Sequence, residues 1–410
     1  MNQSLRSWLR ISFFNFLLVA LIGVVMRYKI VYPLPWVDQK NLLHAHSHFA
    51  FAGWLSQALM SLLVSYIQQA GSERAFEKYR PVLYANLFTA YGMLFSFPFM
   101  GYKFLSILFS TLNILSAYWF GLQYWRDLNR LQLRCTCASW FKAAVVFNAL
   151  SSLGAFSLAY MLATKNLDQH SYLAAIYFFL HFQYNGWFFF ACMGLLCWQL
   201  NRMGISEREL KKVFLCFAIA CVPAYFLSAL WLPIGQLVYI LVVASVLLQL
   251  AGWYQLILIV RRNKALICAR IPSFSRILFI LTATALTIKL LLQAGSVIPS
   301  LGQLAFGFRP IIIGYLHLVL LGIITLFIIA YITAHGIIQP KGRVRSGIGV
   351  FVAGVIINEL LLMLQGVADM NYTPIPYLNQ FLLIAALLLF LGIGMINWGL
   401  CQPNYEPAHK

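Results

Sequence analysis

The fold class this sequence predicts is all-α: a polytopic membrane protein of twelve transmembrane helices. Three observations predict it. Hydrophobic residues make up 62% of the chain and charged residues only 10%, against about a quarter charged in a soluble domain. Apolar runs recur along the whole chain, each close to the roughly 20 residues that a bilayer core about 30 Å thick requires. The 29 Lys and Arg, set against 10 Asp and Glu, sit in short segments between those runs. That distribution excludes a nucleic-acid partner, because the basic excess reports topology and forms no continuous patch. Membrane lipid is the expected surrounding.

The runs fall near 9–28, 42–67, 81–101, 104–125, 139–163, 172–200, 213–232, 235–260, 277–297, 311–334, 348–367 and 377–400. The first is closed by Arg27 and Lys29 with no small-residue cleavage site ahead of them, so it is expected to be retained as a span. The loops after even-numbered spans, with both termini, hold 22 basic residues, among them Arg74, Arg126, Arg134, Arg202, Arg261 and Lys410. The loops after odd-numbered spans hold six, namely Arg27, Lys29, Lys40, Lys103, Lys165 and Arg309. The bias predicts cytoplasmic termini and even-numbered spans that run from outside to inside; the expected location is a bacterial inner membrane.

The longest polar stretches, 69–80, 201–212 and 261–276, read as cytoplasmic loops. No repeat of 20 to 50 residues and no linker divides the chain, which is expected to form one transmembrane domain over 1–410. Cys192, Cys197, Cys216 and Cys221 fall within spans, while Cys135, Cys137, Cys268 and Cys401 fall in or beside cytoplasmic segments. Reduced thiols and no disulfide framework are expected there. The Cys135-Thr136-Cys137 pair reads as a bystander before it reads as a soft-metal site.

Histidine carries most of the functional information. Five of the eight lie inside or at the edge of spans: His44, His46, His48, His181 and His317. Ionisable groups are costly in hydrocarbon, so each needs a reason to be there. Imidazole is also a common ligand of haem iron and of copper. His44, His181 and His317 lie about 3, 13 and 9 Å below the outer boundary of spans 2, 6 and 10, taking 1.5 Å per helical residue. Helical spacing puts His44 and His48 about 40° apart on one face and His46 on the other side. A histidine at a span end also has a plain role, hydrogen bonding to headgroups or to a neighbouring helix; His46 fits that role best, and with His181 it is otherwise a candidate metal ligand.

Two segments resemble the haem-copper oxidase superfamily. Leu43-His44-Ala45-His46-Ser47-His48-Phe49-Ala50-Phe51-Ala52-Gly53 is similar to the second helix of its subunit I, especially in the C-family oxidases and nitric oxide reductases. Gly314-Tyr315-Leu316-His317-Leu318-Val319-Leu320-Leu321-Gly322 is similar to the tenth helix. The resemblance implies a twelve-helix bundle with a low-spin b-type haem held by His44 and His317, and with His48 one turn from the first ligand. His181 falls where that family places a copper ligand.

Two departures weigh against oxygen reduction of the usual kind. Tyr315 stands at the proximal-ligand position of the second haem, and span 7 carries no histidine pair, so copper would lack its usual ligand count. The chain is also similar to the NnrS family, associated with nitric oxide stress, through His44-Ala45-His46, Leu316-His317 and His335-Gly336.

Polar residues elsewhere in the membrane complete the candidates. Tyr177, His181, Tyr184 and Asn185 fall on one face of span 6, with Gln183 beside them, as a small-molecule pocket or as interhelical hydrogen bonds. Glu359 and Lys289 are the strong charges well inside spans 11 and 9, and are expected to face the interior, as a proton path or as an ion pair with each other. The leading reading is a haem-binding protein in redox or nitric oxide chemistry, with an electron donor or partner subunit. The rivals are a copper, haem or small-molecule transporter that uses the histidines as a relay, and a divergent nitric oxide reductase or terminal oxidase.

Overall fold

The computed structural model describes residues 3–131, 135–166 and 168–402; Arg134 and Lys410 of the basic tally lie outside the described residues. Every regular element among the described residues is helical. The long helices are α1 (Gln3–Val31), α2 (Gln39–Gln69), α3 (Ala75–Met100), α4 (Phe104–Arg130) and α5 (Thr136–Thr164), followed by α6 (169–202) and α7 (Glu207–Cys221, continued by a 3-10 segment, Pro223–Ala229). The remainder are α8 (Gln236–Arg262), α9 (Ser273–Ser296), α10 (Arg309–Ala334), α11 (Gly342–Met370) and α12 (Leu378–Leu400), with short helices at Lys264–Arg270 and Pro299–Gly307.

Ten of these, all but α6 and α7, are long and apolar enough to cross a membrane, and α7 with its 3-10 continuation, bent by 46°, is an eleventh candidate. The expected sixth span falls outside the ten because its interior carries His181, Gln183 and Asn185.

Local chemistry accounts for the helix ends. Asp38 caps α2, its carboxylate accepting from Asn41 N at 2.7 Å, and Asp168 caps α6 in the same way from Ser171 N at 2.8 Å. Both satisfy amides that a helix start leaves without partners. Gly71 (φ 127°) and Gly204 (φ 91°) take left-handed backbone just after α2 and α6, a conformation that side chains resist.

Three helices are not α-helical throughout. π-Helix runs over Ala50–Ser56 in α2, Phe182–Phe188 in α6 and Leu318–Thr325 in α10. Such segments are rare and concentrate at functional sites.

By contact the chain forms two compact units, Met1–Phe120 with Ile328–Lys410, and Gly121–Phe327. In the first, α11 and α12 approach through glycine: a Cβ on Gly347 would sit 2.8 Å from Gly392 O, and one on Gly392 would sit 2.5 Å from Phe351 N. Small residues at such crossings let backbones pack closely where no hydrophobic drive separates helix from lipid. Phe16 of α1 stacks on Trp54 of α2 at 4.5 Å, and Asn397 Nδ2 of α12 donates to Phe13 O at 3.0 Å. In the second unit α5 and α6 close on Gly154, Gly186 and Gly194, which lie against Ala175 O, Phe147 and Phe141. Trp187, Phe188 and Phe190 are buried, and Phe189 between them is half-buried.

One expectation is corrected. Cys135 and Cys137 form a disulfide, with Cα atoms 5.3 Å apart. Cys135 is extended (φ −111°, ψ 149°) just before α5 starts, and extended backbone brings side chains two residues apart to the same side. Cys192, Cys197, Cys216, Cys221, Cys268 and Cys401 are free.

Candidate functional site

The histidines of α2 are described within the first unit. His44 and His48 share one face, as helical spacing predicts. His44 lies edge-on to Tyr102 (4.5 Å between ring centroids), and His48 stacks on Phe97 (4.6 Å, 11° between planes). His48 Nε2 shares a hydrogen bond with Tyr102 Oη at 3.0 Å. His44 Nε2 is buried and has no hydrogen-bond partner among the described residues. His46 points the other way, its Nδ1 donating to Val19 O of α1 at 3.1 Å.

Phe97 and Tyr102 had no distinguishing sequence signal. Phe97 is one of 33 Phe, and Tyr102 comes to the histidines because Gly101 (φ 59°) ends α3 and turns the chain.

In the second unit α6 supplies His181, which is 1% exposed. Its Nε2 donates to Cys221 O at 2.8 Å, and its Nδ1 accepts from Asn185 Nδ2 at 3.1 Å. Tyr184 is hydrogen-bonded to Ser228 and to Tyr315, with the two tyrosine rings 6.1 Å apart. Gln183 donates to Asn148 Oδ1 (2.9 Å) and Ser151 Oγ (2.7 Å) of α5. The polar face read on span 6 thus divides: Asn185 serves His181, Tyr184 serves α10, and Gln183 serves α5. Lys289 of α9, 5% exposed, has Cys221 and His181 as its electrostatic neighbours. His317 Nδ1 donates to Ile313 O one turn back at 2.8 Å. Glu359, in the first unit, accepts from Asn358 Nδ2 at 3.1 Å.

These bonds decide which prosthetic groups the residues fit. A ligating imidazole ordinarily binds metal through one nitrogen while the other is pinned by a hydrogen bond. His317 has that arrangement at Nδ1, which makes Nε2 the lone-pair nitrogen of the neutral ring. His48 has one nitrogen on Tyr102 Oη, and His44 brings a buried nitrogen without a partner. Axial ligation of haem fits such residues. Copper at His181 does not, since both of its nitrogens are engaged. Among the described residues no three His, Cys, Asp or Glu side chains form a metal-holding group. Tyr315, hydrogen-bonded to Tyr184, offers a phenol and no imidazole.

No family model matches the chain, and no curated protein matches it.

Proposed function

We propose that this chain is a haem-binding integral membrane protein of the oxidase subunit I type, with twelve spans and both termini cytoplasmic. It takes one low-spin b-type haem through His317 of α10 and a histidine of the His44/His48 face of α2. The observation that carries the reading is the placement of π-helix. Among the described residues π-helix occurs in three helices, and these are the three that hold the intramembrane histidines. Each π segment begins within two residues of His48, His181 or His317. A π turn is less favourable than an α turn and persists where it re-aims a side chain or frees a backbone group for use.

A bis-imidazole haem supplies one-electron transfer when bound. The protein's own contribution is to hold the rings. Ile313 O fixes the tautomer of His317, and Tyr102 Oη and Phe97 fix the plane of His48. An electron donor or partner subunit completes the reading, and the chemistry it supports is redox or nitric oxide-related.

The test is the absorption spectrum of the purified full chain, as isolated and after loading with hemin. The expected result is a six-coordinate low-spin spectrum at no more than one haem per chain, with little oxygen consumption from an artificial donor. His317→Ala should convert the iron to five-coordinate, and His335→Ala should leave it unchanged. A chain that stays colourless after loading overturns the reading, and two haems with rapid turnover would place the protein among the divergent oxidases.

A further inference from the structure

The disulfide of Cys135 and Cys137 closes a very short loop, with only Thr136 between the two cysteines. A cross-link stabilises mainly by restricting the unfolded chain, and the restriction grows with the length of the loop it closes. This bond joins nothing distant, so stapling the fold does not explain it. The topology proposed above puts the start of α5 on the cytoplasmic side, where thiols are kept reduced and a disulfide serves exchange or sensing.

The start of α5 is built so that the bond can open without loss of the helix. Cys135 stands at the N-cap, a position that favours Ser, Thr, Asp or Asn, and its side chain caps no amide. The amide of Thr136 goes instead to Glu207, the first residue of α7. Thr136 N donates to Glu207 Oε2 at 2.9 Å, and Thr136 Oγ1 donates to the same oxygen. The other carboxylate oxygen accepts from Asn201 Nδ2 of α6 at 2.6 Å. Three helix ends are thus joined through a carboxylate and not through sulfur.

The two sulfurs are not equivalent. Cys137 is fully buried in the first turn of α5, while Cys135 is half-buried. An incoming thiolate therefore meets Cys135, and Cys137 is the leaving sulfur. The positive end of the helix dipole stabilises a thiolate in that first turn, which makes it the better leaving group. The rim is basic: Arg130 at the end of α4, Arg202 beside Asn201 in sequence and Arg208 beside Glu207 are all exposed. Of the carboxylates on α7, Glu207 has both oxygens hydrogen-bonded and Glu209 is paired with Arg262 at 3.4 Å. A rim of this sign draws anions.

We propose that Cys135 and Cys137 form a thiol-disulfide exchange site whose co-substrate is a small anionic thiol, of which glutathione is the cytoplasmic example. The thiolate of the co-substrate attacks Cys135 Sγ, the bond between the two cysteines breaks, and its electron pair leaves on Cys137 Sγ, which takes up a proton. A second thiolate then attacks the co-substrate's sulfur in the mixed disulfide and releases Cys135 as a thiolate, which is protonated in turn. The pair gains two electrons and two protons, and two thiols become one disulfide. Oxidised co-substrate drives the same steps in reverse. The cytoplasmic source rests on the proposed topology, whereas the exchange chemistry does not.

The experiment equilibrates the full chain in detergent with glutathione over a range of reduced-to-oxidised ratios, followed by acid quenching, alkylation and digestion with trypsin. Cleavage after Arg134 and Lys142 leaves both cysteines on one peptide, whose mass distinguishes disulfide, dithiol and mixed disulfide. The pair is expected to pass reversibly between disulfide and dithiol within that range. Cys135 in Cys137→Ser should be thiolated about tenfold faster or more than Cys137 in Cys135→Ser. Mercaptoethanesulfonate should react several-fold faster than the cationic cysteamine, with the gap closing at high salt. A pair that stays oxidised in excess reduced glutathione overturns the site, as does one that stays reduced in excess oxidised glutathione. Equal thiolation of the two single variants overturns the assignment of Cys135 as the attacked sulfur, and equal rates with the two charged thiols overturn the anionic preference. If the serine variants do not fold, the wild-type titration decides alone. Access is read separately, with a membrane-impermeant maleimide on the reduced protein. Labelling of the same peptide in inverted vesicles and not in intact cells is expected; the reverse overturns the topology and glutathione as the source, while exchange in detergent stands.

Discussion

At the scale of single residues, a hydrogen bond decides what a polar group in or near the membrane can do. The two aspartate caps show this outside the apolar core. Asp38 accepts from Asn41 N, and replacing a capping aspartate by alanine costs about 1 kcal/mol. Asp38→Ala should therefore lower the thermal midpoint of the purified protein without altering any ligand spectrum. Asp168 is held below the usual carboxylate range by the Ser171 amide that donates to it. A carboxylate with a lowered folded pKa contributes stability above its unfolded pKa and loses it as the pH falls through the folded value. The contribution of Asp168 should thus be complete at neutral pH and vanish below the ordinary aspartate range. Asp168→Asn, which caps without titrating, should flatten that part of the stability-against-pH curve. An unchanged curve would show that the cap plays no part.

At the scale of elements, glycine position separates tight crossings from open surface. Gly347 and Gly349 are two residues apart on α11. A Cβ on Gly347 meets Gly392 O at 2.8 Å and Ile396 N at 2.9 Å, whereas a Cβ on Gly349 meets nothing within 4 Å. Backbone atoms cannot swing aside as a side chain can. Gly347→Val should therefore destabilise the α11–α12 pair by about 1–3 kcal/mol, as overpacking does. Gly349→Ala should be neutral or slightly stabilising, since alanine is the better helix former. Thermal unfolding followed by size-exclusion chromatography reads both, and equal effects would contradict the crossing described.

For the whole molecule, the twelve spans proposed are an even number, so both termini should lie on the same side of the membrane. Both termini and the starts of α5 and α9 are then cytoplasmic, in keeping with the 22 basic residues assigned to that side. The starts of α2, α6 and α10 are then expected on the outer side. Reporter fusions after Val31, Lys165 and Gln402 test this, with the first two expected outside and the third inside. A fusion after Gln402 that reads as external would remove the common outer depth of His44, His181 and His317.

Composition and hydropathy were enough to determine an all-helical, membrane-compatible chain, because a bilayer leaves few other ways to satisfy backbone polar groups; of the twelve spans expected, ten helices among the described residues are long and apolar enough to cross. Helical periodicity also placed His44 and His48 on one face with His46 opposite. Three things needed tertiary structure. One is the π segment after each histidine, since the same apolar residues would suit an α-helix and only packing against α1, α5 and α9 distinguishes the two. Another is the pinning of individual nitrogens, which depends on atoms distant in sequence: Tyr102 is 54 residues from His48, and Cys221 is 40 from His181. The third is the disulfide of Cys135 and Cys137, for which the extended backbone just before α5 brings the two thiols to the same side.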